Sequence, residues 1–206
     1  MRALLISCCA LLLFSCKSFQ VEQLPKEAYQ PNEKEVTNNY FATVGQEHLF
    51  RANISVFKRE LSGLLVVKRI DDSLHRVVLT SDFGNTLFDF SIYKDHHEVN
   101  YVMKDLDRKL ILNILANDFS YLTETTYGMS SVAHTQEQDI YQGKYRNNRT
   151  AVVYNKQQQR VTQVIYASRK KAKVYYNYNT DGLGTVSIVH HNFPMTIALT
   201  PIVEEQ

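Results

Sequence analysis

From His48 to near the C-terminus, apolar and polar residues alternate one by one, and no other feature of the chain constrains its fold as strongly. A period of two sends successive side chains to opposite faces of an extended strand, so each such run has one face to bury and one to leave wet. Phe50, Ala52, Ile54 and Val56 share one face of a first strand. Residues 61–68 and 74–81 make a second and a third, joined by the turn-like Asp71-Asp72-Ser73. Asp82-Phe83-Gly84-Asn85 is a turn, because Gly and Asn tolerate positive φ. Thr86–Tyr93 forms a fourth strand with Phe88, Phe90 and Ile92 on one side, and residues 97–103 a fifth.

The period changes after Lys104. Leu106, Leu110, Ile114 and Leu115 recur at helical spacing, with Ile111 and Phe119 widening the apolar stripe. Asp105 is the expected N-cap, where its carboxylate would accept from a free backbone N–H. Strands resume over residues 140–146, 151–155, 160–169, 173–178, 185–193 and 195–203, with short links that make neighbours antiparallel. The expected class is α+β: a large curled antiparallel sheet, a half-barrel of about ten or eleven strands, enclosing one main helix. Its apolar interior is either packed core or a ligand cavity, and periodicity does not separate the two. Phe50, Ile54, Phe88, Phe90, Ile114 and Ile197 are the candidate cavity-lining residues, chosen for size and for strand or helix phase.

All three cysteines, Cys8, Cys9 and Cys16, lie in the first sixteen residues, so neither a disulfide nor a cysteine metal site is expected in the sheet domain. Arg2 precedes an apolar stretch running from Ala3 to Phe14. At about a dozen residues this is too short to span a bilayer and suits the apolar region of a signal peptide. It ends in Leu13-Phe14-Ser15-Cys16, which resembles the bacterial lipobox: an aliphatic residue, a tolerant position, a small residue, then the cysteine that is acylated. Residues 1–15 are thus expected to be a lipoprotein signal peptide, with Cys16 as the lipid attachment site. The two or three chains of a mature bacterial lipoprotein anchor durably where one would not. No acidic residue follows in Lys17-Ser18, which by resemblance to known sorting signals points to the outer membrane, facing the periplasm. Residues 16–45 are polar, with Pro25 and Pro31, and are expected to be a linker or, near 32–41, a short helix. The folded domain is expected over 46–206.

The formal net charge is +2, of which Arg2 leaves with the leader. A nearly neutral chain lacks the clustered positive charge that nucleic-acid binding needs, so no nucleic-acid partner is expected. The strongest basic cluster, Arg169-Lys170-Lys171-Ala172-Lys173, reads as a solvated hairpin tip or as a patch for anionic headgroups. His96-His97 falls in a turn and His190-His191 in a strand, where neighbours point to opposite faces, so no metal site is expected. No nucleophile elbow, phosphate loop or HExxH occurs, and neither an enzyme nor a cofactor is expected.

The segment Val77-Val78-Leu79-Thr80-Ser81-Asp82-Phe83-Gly84-Asn85-Thr86-Leu87 resembles the strand–loop–strand of LolB, the outer-membrane lipoprotein receptor of the LolA/LolB fold family. The order of elements downstream is also similar, and Lys171-Ala172-Lys173-Val174-Tyr175-Tyr176-Asn177-Tyr178 looks like that family's basic-then-tyrosine strand. The resemblance implies a monomeric acceptor that holds the acyl chains of lipoproteins in an apolar cavity. The partners it implies are acylated lipoproteins, a periplasmic LolA-like carrier and outer-membrane lipids. It also implies that Phe83, beside Gly84, enters the membrane from a protruding loop. The residues alone leave open a second placement, with Phe83 folded back as a lid over the sheet end. They also leave open a different class of function: a structural or interaction lipoprotein with a filled core, or a carrier of another lipid.

Overall fold

The computed structural model describes residues 24, 29–57, 59–146, 148–168, 171–178 and 184–202. Cys16, the signal peptide and Arg169-Lys170 lie outside the described residues. The described residues build one large, curled and unclosed antiparallel sheet of 13 strands around a single α-helix.

The strands are β1 (Gln30–Thr37), β2 (Glu47–Val56), β3 (Arg59–Arg69), β4 (Leu74–Thr80), β5 (Thr86–Tyr93), β6 (His97–Val102), then helix α1 (Lys109–Leu122), β7 (Thr126–His134), β8 (Gln138–Tyr145), β9 (Asn148–Asn155), β10 (Arg160–Ser168), β11 (Lys171–Tyr178), β12 (Val186–His190) and β13 (Met195–Pro201). Two meanders, β2 to β6 and β7 to β13, are joined edge to edge by the pairing of β13 with β2, where Met195 faces Val56 and Pro201 faces Phe50. α1 crosses from one meander to the other and fills the concave side. The free edges are β6 and β1. Strand β1 carries Pro31, a register irregularity between Pro31 and Lys34, and the charges of Glu33, Lys34 and Glu35, features that discourage further strand pairing.

The expected alternation is present where it was strongest. Phe50, Ala52, Ile54 and Val56 all point into the core, as do Phe88, Phe90 and Ile92 from β5. Phe119 of α1 meets the stacked rings of Phe88 and Phe90 at centroid distances of 5.8 and 6.4 Å. Burying three such rings gives this contact several kcal/mol of the fold's apolar stabilisation, at ~1.5–3 kcal/mol each. A second, smaller apolar cluster occupies the opposite face of β8 to β11, where Ile140, Ala151, Val153 and Ile165 pack with Leu24 and Tyr29.

Four expectations are corrected. Residues 32–41 are not a helix: Gln30–Thr37 is an edge strand paired with β7, and Val36 and Phe41 join the main core. The folded unit therefore draws in residues assigned to the linker. Neither β1 nor β7 was expected as a strand, so the described residues form 13 strands rather than ten or eleven. Asp105 does not cap α1; it lies in a separate 3-10 turn (Lys104–Leu106), and α1 begins at Lys109 with no side-chain cap. The break at Asp107-Arg108 resets the helical phase, which leaves Leu110 62% exposed and puts Ile111, Leu115, Phe119 and Leu122 on the buried stripe.

Candidate functional site

Tyrosines hold the C-terminal end of α1. The last carbonyls of a helix lack intrahelical donors, and here Tyr127 donates to the Tyr121 carbonyl at 3.0 Å and Tyr178 to the Leu122 carbonyl at 2.8 Å. Thr123 closes the turn through its own hydroxyl onto the Phe119 carbonyl at 2.8 Å. These bonds fix the height of α1 above β7 and β11, and they leave a gap further along the helix that side chains do not fill.

That gap is a cavity of about 460 Å³ between α1 and strands β9 to β12. Its less polar wall is built by Ile114 and Tyr121 from the helix, Tyr166 from β10, Val174 and Tyr176 from β11, and Phe193 after β12. The ring of Tyr121 stacks on Tyr166 and on Tyr176, each at 5.7 Å, so the wall is an organised aromatic surface. Asn148 Nδ2 donates to the Tyr121 hydroxyl at 2.6 Å and sets its direction.

The polar side of the cavity holds Asp118 and His190, 72 residues apart in sequence and 2.8 Å apart in space. Their side chains are 4% and 6% exposed. Tyr176 also donates to Asp118, at 3.3 Å. Burial pushes the Asp118 carboxyl above its ordinary value, and the bond to His190 only partly offsets this. Burial likewise raises Tyr176 well above the usual phenol range, with the Asp118 charge adding to it. The pair is thus a low-dielectric polar feature inside an aromatic chamber.

Arg146 completes the wall from the turn between β8 and β9, with backbone φ of 47° in the left-handed region. One guanidinium nitrogen donates to the carbonyls of Tyr93 and Lys94, reaching across the open part of the curled sheet. Its Nε is buried and has no hydrogen-bond partner among the described residues. On its other side lies a small polar hollow of about 70 Å³ containing Glu124. Burial raises Glu124, whose oxygens accept from the backbone N–H groups of Thr125 and Thr126 and from the Tyr145 hydroxyl.

Of the six residues named from sequence as cavity lining, Ile114 borders this chamber. Phe50, Ile54, Phe88, Phe90 and Ile197 lie in the packed core and are not among its lining residues. Strand phase placed them correctly on the inner face, but α1 packs directly onto Phe88 and Phe90. Phe83 stands at the tip of the β4–β5 turn with its side chain 94% exposed, so it does not fold back as a lid. Gly84, at φ 81°, supplies the left-handed residue that the turn requires. Asp82, next to the ring, is ion-paired with Arg51 of β2.

Asp118, His190, Tyr176 and Arg146 did not emerge from the sequence as a group. The signal for Asp118 was present, since it falls three residues after Leu115 and seven after Ile111, on the buried stripe. His190 and His191 do point to opposite faces: the first reaches Asp118, while the second lies 4.9 Å from Tyr175. Among the described residues no group of three or more His, Cys, Asp or Glu is placed to hold a metal ion. Among them, too, no helix is long and apolar enough to cross a membrane.

No protein-family profile matches the sequence, and no curated protein matches it. Among solved structures, the chain is similar to a DUF1329 family protein from Desulfovibrio piger, with 9% sequence identity and a TM-score of 0.49 over 80% of this chain and 86% of that one.

Proposed function

We propose that this protein is a lipid-anchored, non-catalytic acceptor that takes acyl chains of lipoproteins from a soluble LolA-like carrier and helps to insert them into the outer membrane. The observation that carries this reading is the chamber of about 460 Å³ between α1 and β9 to β12, within the size range of small-molecule sites. Hydrocarbon would lie against Ile114, Tyr166, Val174 and Phe193, and each methylene removed from water contributes about 0.8 kcal/mol. Binding by burial alone needs no reacting group, and transfer runs toward whichever site shelters more chain. The exposed ring of Phe83 provides a transient contact with the bilayer, while acylated Cys16 provides the standing tether on the periplasmic face.

The test uses the full chain carrying Cys16→Ser, so that no tether lipid competes. An acylated peptide should displace a fluorescent fatty acid from it, and the same peptide without its acyl chain should not. Failure of either fatty acid or acyl peptide to bind ends the acceptor reading. A second reading, a structural or interaction lipoprotein, draws on the dense packing of Phe50, Ile54, Phe88, Phe90 and Ile197, which leaves the centre of the half-barrel filled. It predicts no acyl binding and normal lipoprotein sorting in a Phe83→Glu strain.

A further inference from the structure

The hydrogen-bonding groups around the chamber are not all matched. Asp118 has His190 at 2.8 Å, and Asp95 has His96 at 2.7 Å. Glu124 is occupied by two backbone N–H groups and the Tyr145 hydroxyl. Arg146 is different. Asp95 and Glu124 feel its charge, yet among the described residues neither they nor any other carboxylate lies within ion-pair distance of it; its acceptors are two neutral carbonyls, its guanidinium carbon lies 5.3 Å from the Tyr145 ring centroid, and its buried Nε donates to nothing. A guanidinium N–H withdrawn from water without an acceptor is costly, and a carboxylate or phosphate is the partner that the planar donors of arginine fit best. Since Arg146 and the hydrocarbon-compatible wall face one space, the missing acceptor and the apolar body belong to one ligand.

We propose that Arg146 anchors the anionic head of an amphipath, a carboxylate or phosphate monoester on an alkyl chain, whose chain lies along Ile114, Tyr166, Val174 and Phe193. This rests on the acceptor reading of the same chamber and deepens it: an acidic group carried beside the alkyl chain would give the unpartnered Arg146 Nε its acceptor, which a chain without one would not. The anion could reach the chamber on a lipid or as a free ion, so the test includes both.

Native mass spectrometry of the full chain released from neutral detergent micelles counts bound hexadecanoate, hexadecyl phosphate and hexadecanol, with inorganic phosphate as competitor. Hexadecanoate and hexadecyl phosphate should bind about tenfold or more tighter than hexadecanol, as expected for a charge-assisted hydrogen bond. Arg146→Gln should bring both down to the hexadecanol level while leaving hexadecanol itself unchanged, and Arg146→Lys should retain part of the difference. Equal binding of hexadecanol and hexadecanoate to the wild type overturns the anchor and leaves the acceptor reading standing. So does an equal loss of all three ligands in Arg146→Gln. Efficient displacement of hexadecanoate by inorganic phosphate assigns a free-ion site and overturns the amphipath. No alkyl ligand bound by the wild type ends both proposals.

Discussion

Replacing Phe83 by alanine should weaken membrane contact without weakening the fold. The ring is 94% exposed, so it contributes almost nothing to the core, and surface substitutions of this kind change stability by about 0.5 kcal/mol or less. Moving a fully exposed Phe side chain into an apolar medium is worth about 1.5–3 kcal/mol. Nearly the whole of that is available here, because almost none of the ring is already sheltered. Two local features protect the gain. Asp82, the nearest charge, is ion-paired with Arg51, which lessens the cost of bringing the loop to a bilayer, although both partners are half-exposed and the pair itself is weak. Gly84 holds the turn at positive φ and presents the ring outward. At 1.4 kcal/mol per decade, Phe83→Ala should lower partitioning of the untethered full chain, Cys16→Ser, onto lipid vesicles on the order of 10- to 100-fold. Vesicle flotation at graded lipid concentration measures it, with denaturant midpoints as the control for folding. Equal flotation of the two proteins would refute membrane contact through this loop.

Tyr178→Phe should destabilise the fold by about 1–3 kcal/mol, because it orphans the buried Leu122 carbonyl at the end of α1; urea denaturation checks it. Gly63→Ala places a Cβ 1.8 Å from the Thr80 carbonyl oxygen, so β3 and β4 must separate where the β4–β5 loop emerges. It should therefore cost at least the ~1–3 kcal/mol of an overpacked site, while Gly128→Ala, whose Cβ meets nothing within 4 Å, should be nearly neutral. The carboxyl of Asp118 has a folded pKa above its ordinary 3.8, so the folded state holds that proton more tightly. The stability this contributes is complete below the ordinary value and is lost as pH rises through the folded one. Asp118→Asn cannot titrate, so its stability relative to wild type should rise with pH across that window; thermal melts from pH 3.5 upward that show parallel curves would contradict the assignment.

Much of this architecture is legible along the chain because it rests on local alternation. From Phe50 to Val56 in β2 and from Phe88 to Ile92 in β5 every second residue is apolar, and one face of each strand has a single way to leave water. The turn at Asp82–Asn85 is equally local, since Gly84 alone satisfies its backbone. The polar edge strand β1 lacks such a signal: in Gln30–Thr37 only Val36 is buried, and what makes it a strand is the ladder offered by β7, nearly a hundred residues later. β7 is hidden in the same way by its small and polar residues, Gly128, Ser130 and Ser131.

The sequence by itself determined which faces would be buried, that the sheet would be antiparallel, and that one helix would lie against it, because periodicity and short links act between neighbours. Only the tertiary structure decided where the interior is full and where it is empty. Phe88 and Ile114 are both apolar residues on inward-facing phases; the height and tilt of α1, held by Tyr127 and Tyr178, press the first into the core and leave the second beside a cavity. The meeting of Asp118 with His190, and the buried Arg146 Nε without an acceptor among the described residues, arise from strand register and sheet curvature across long separations, which no local pattern encodes.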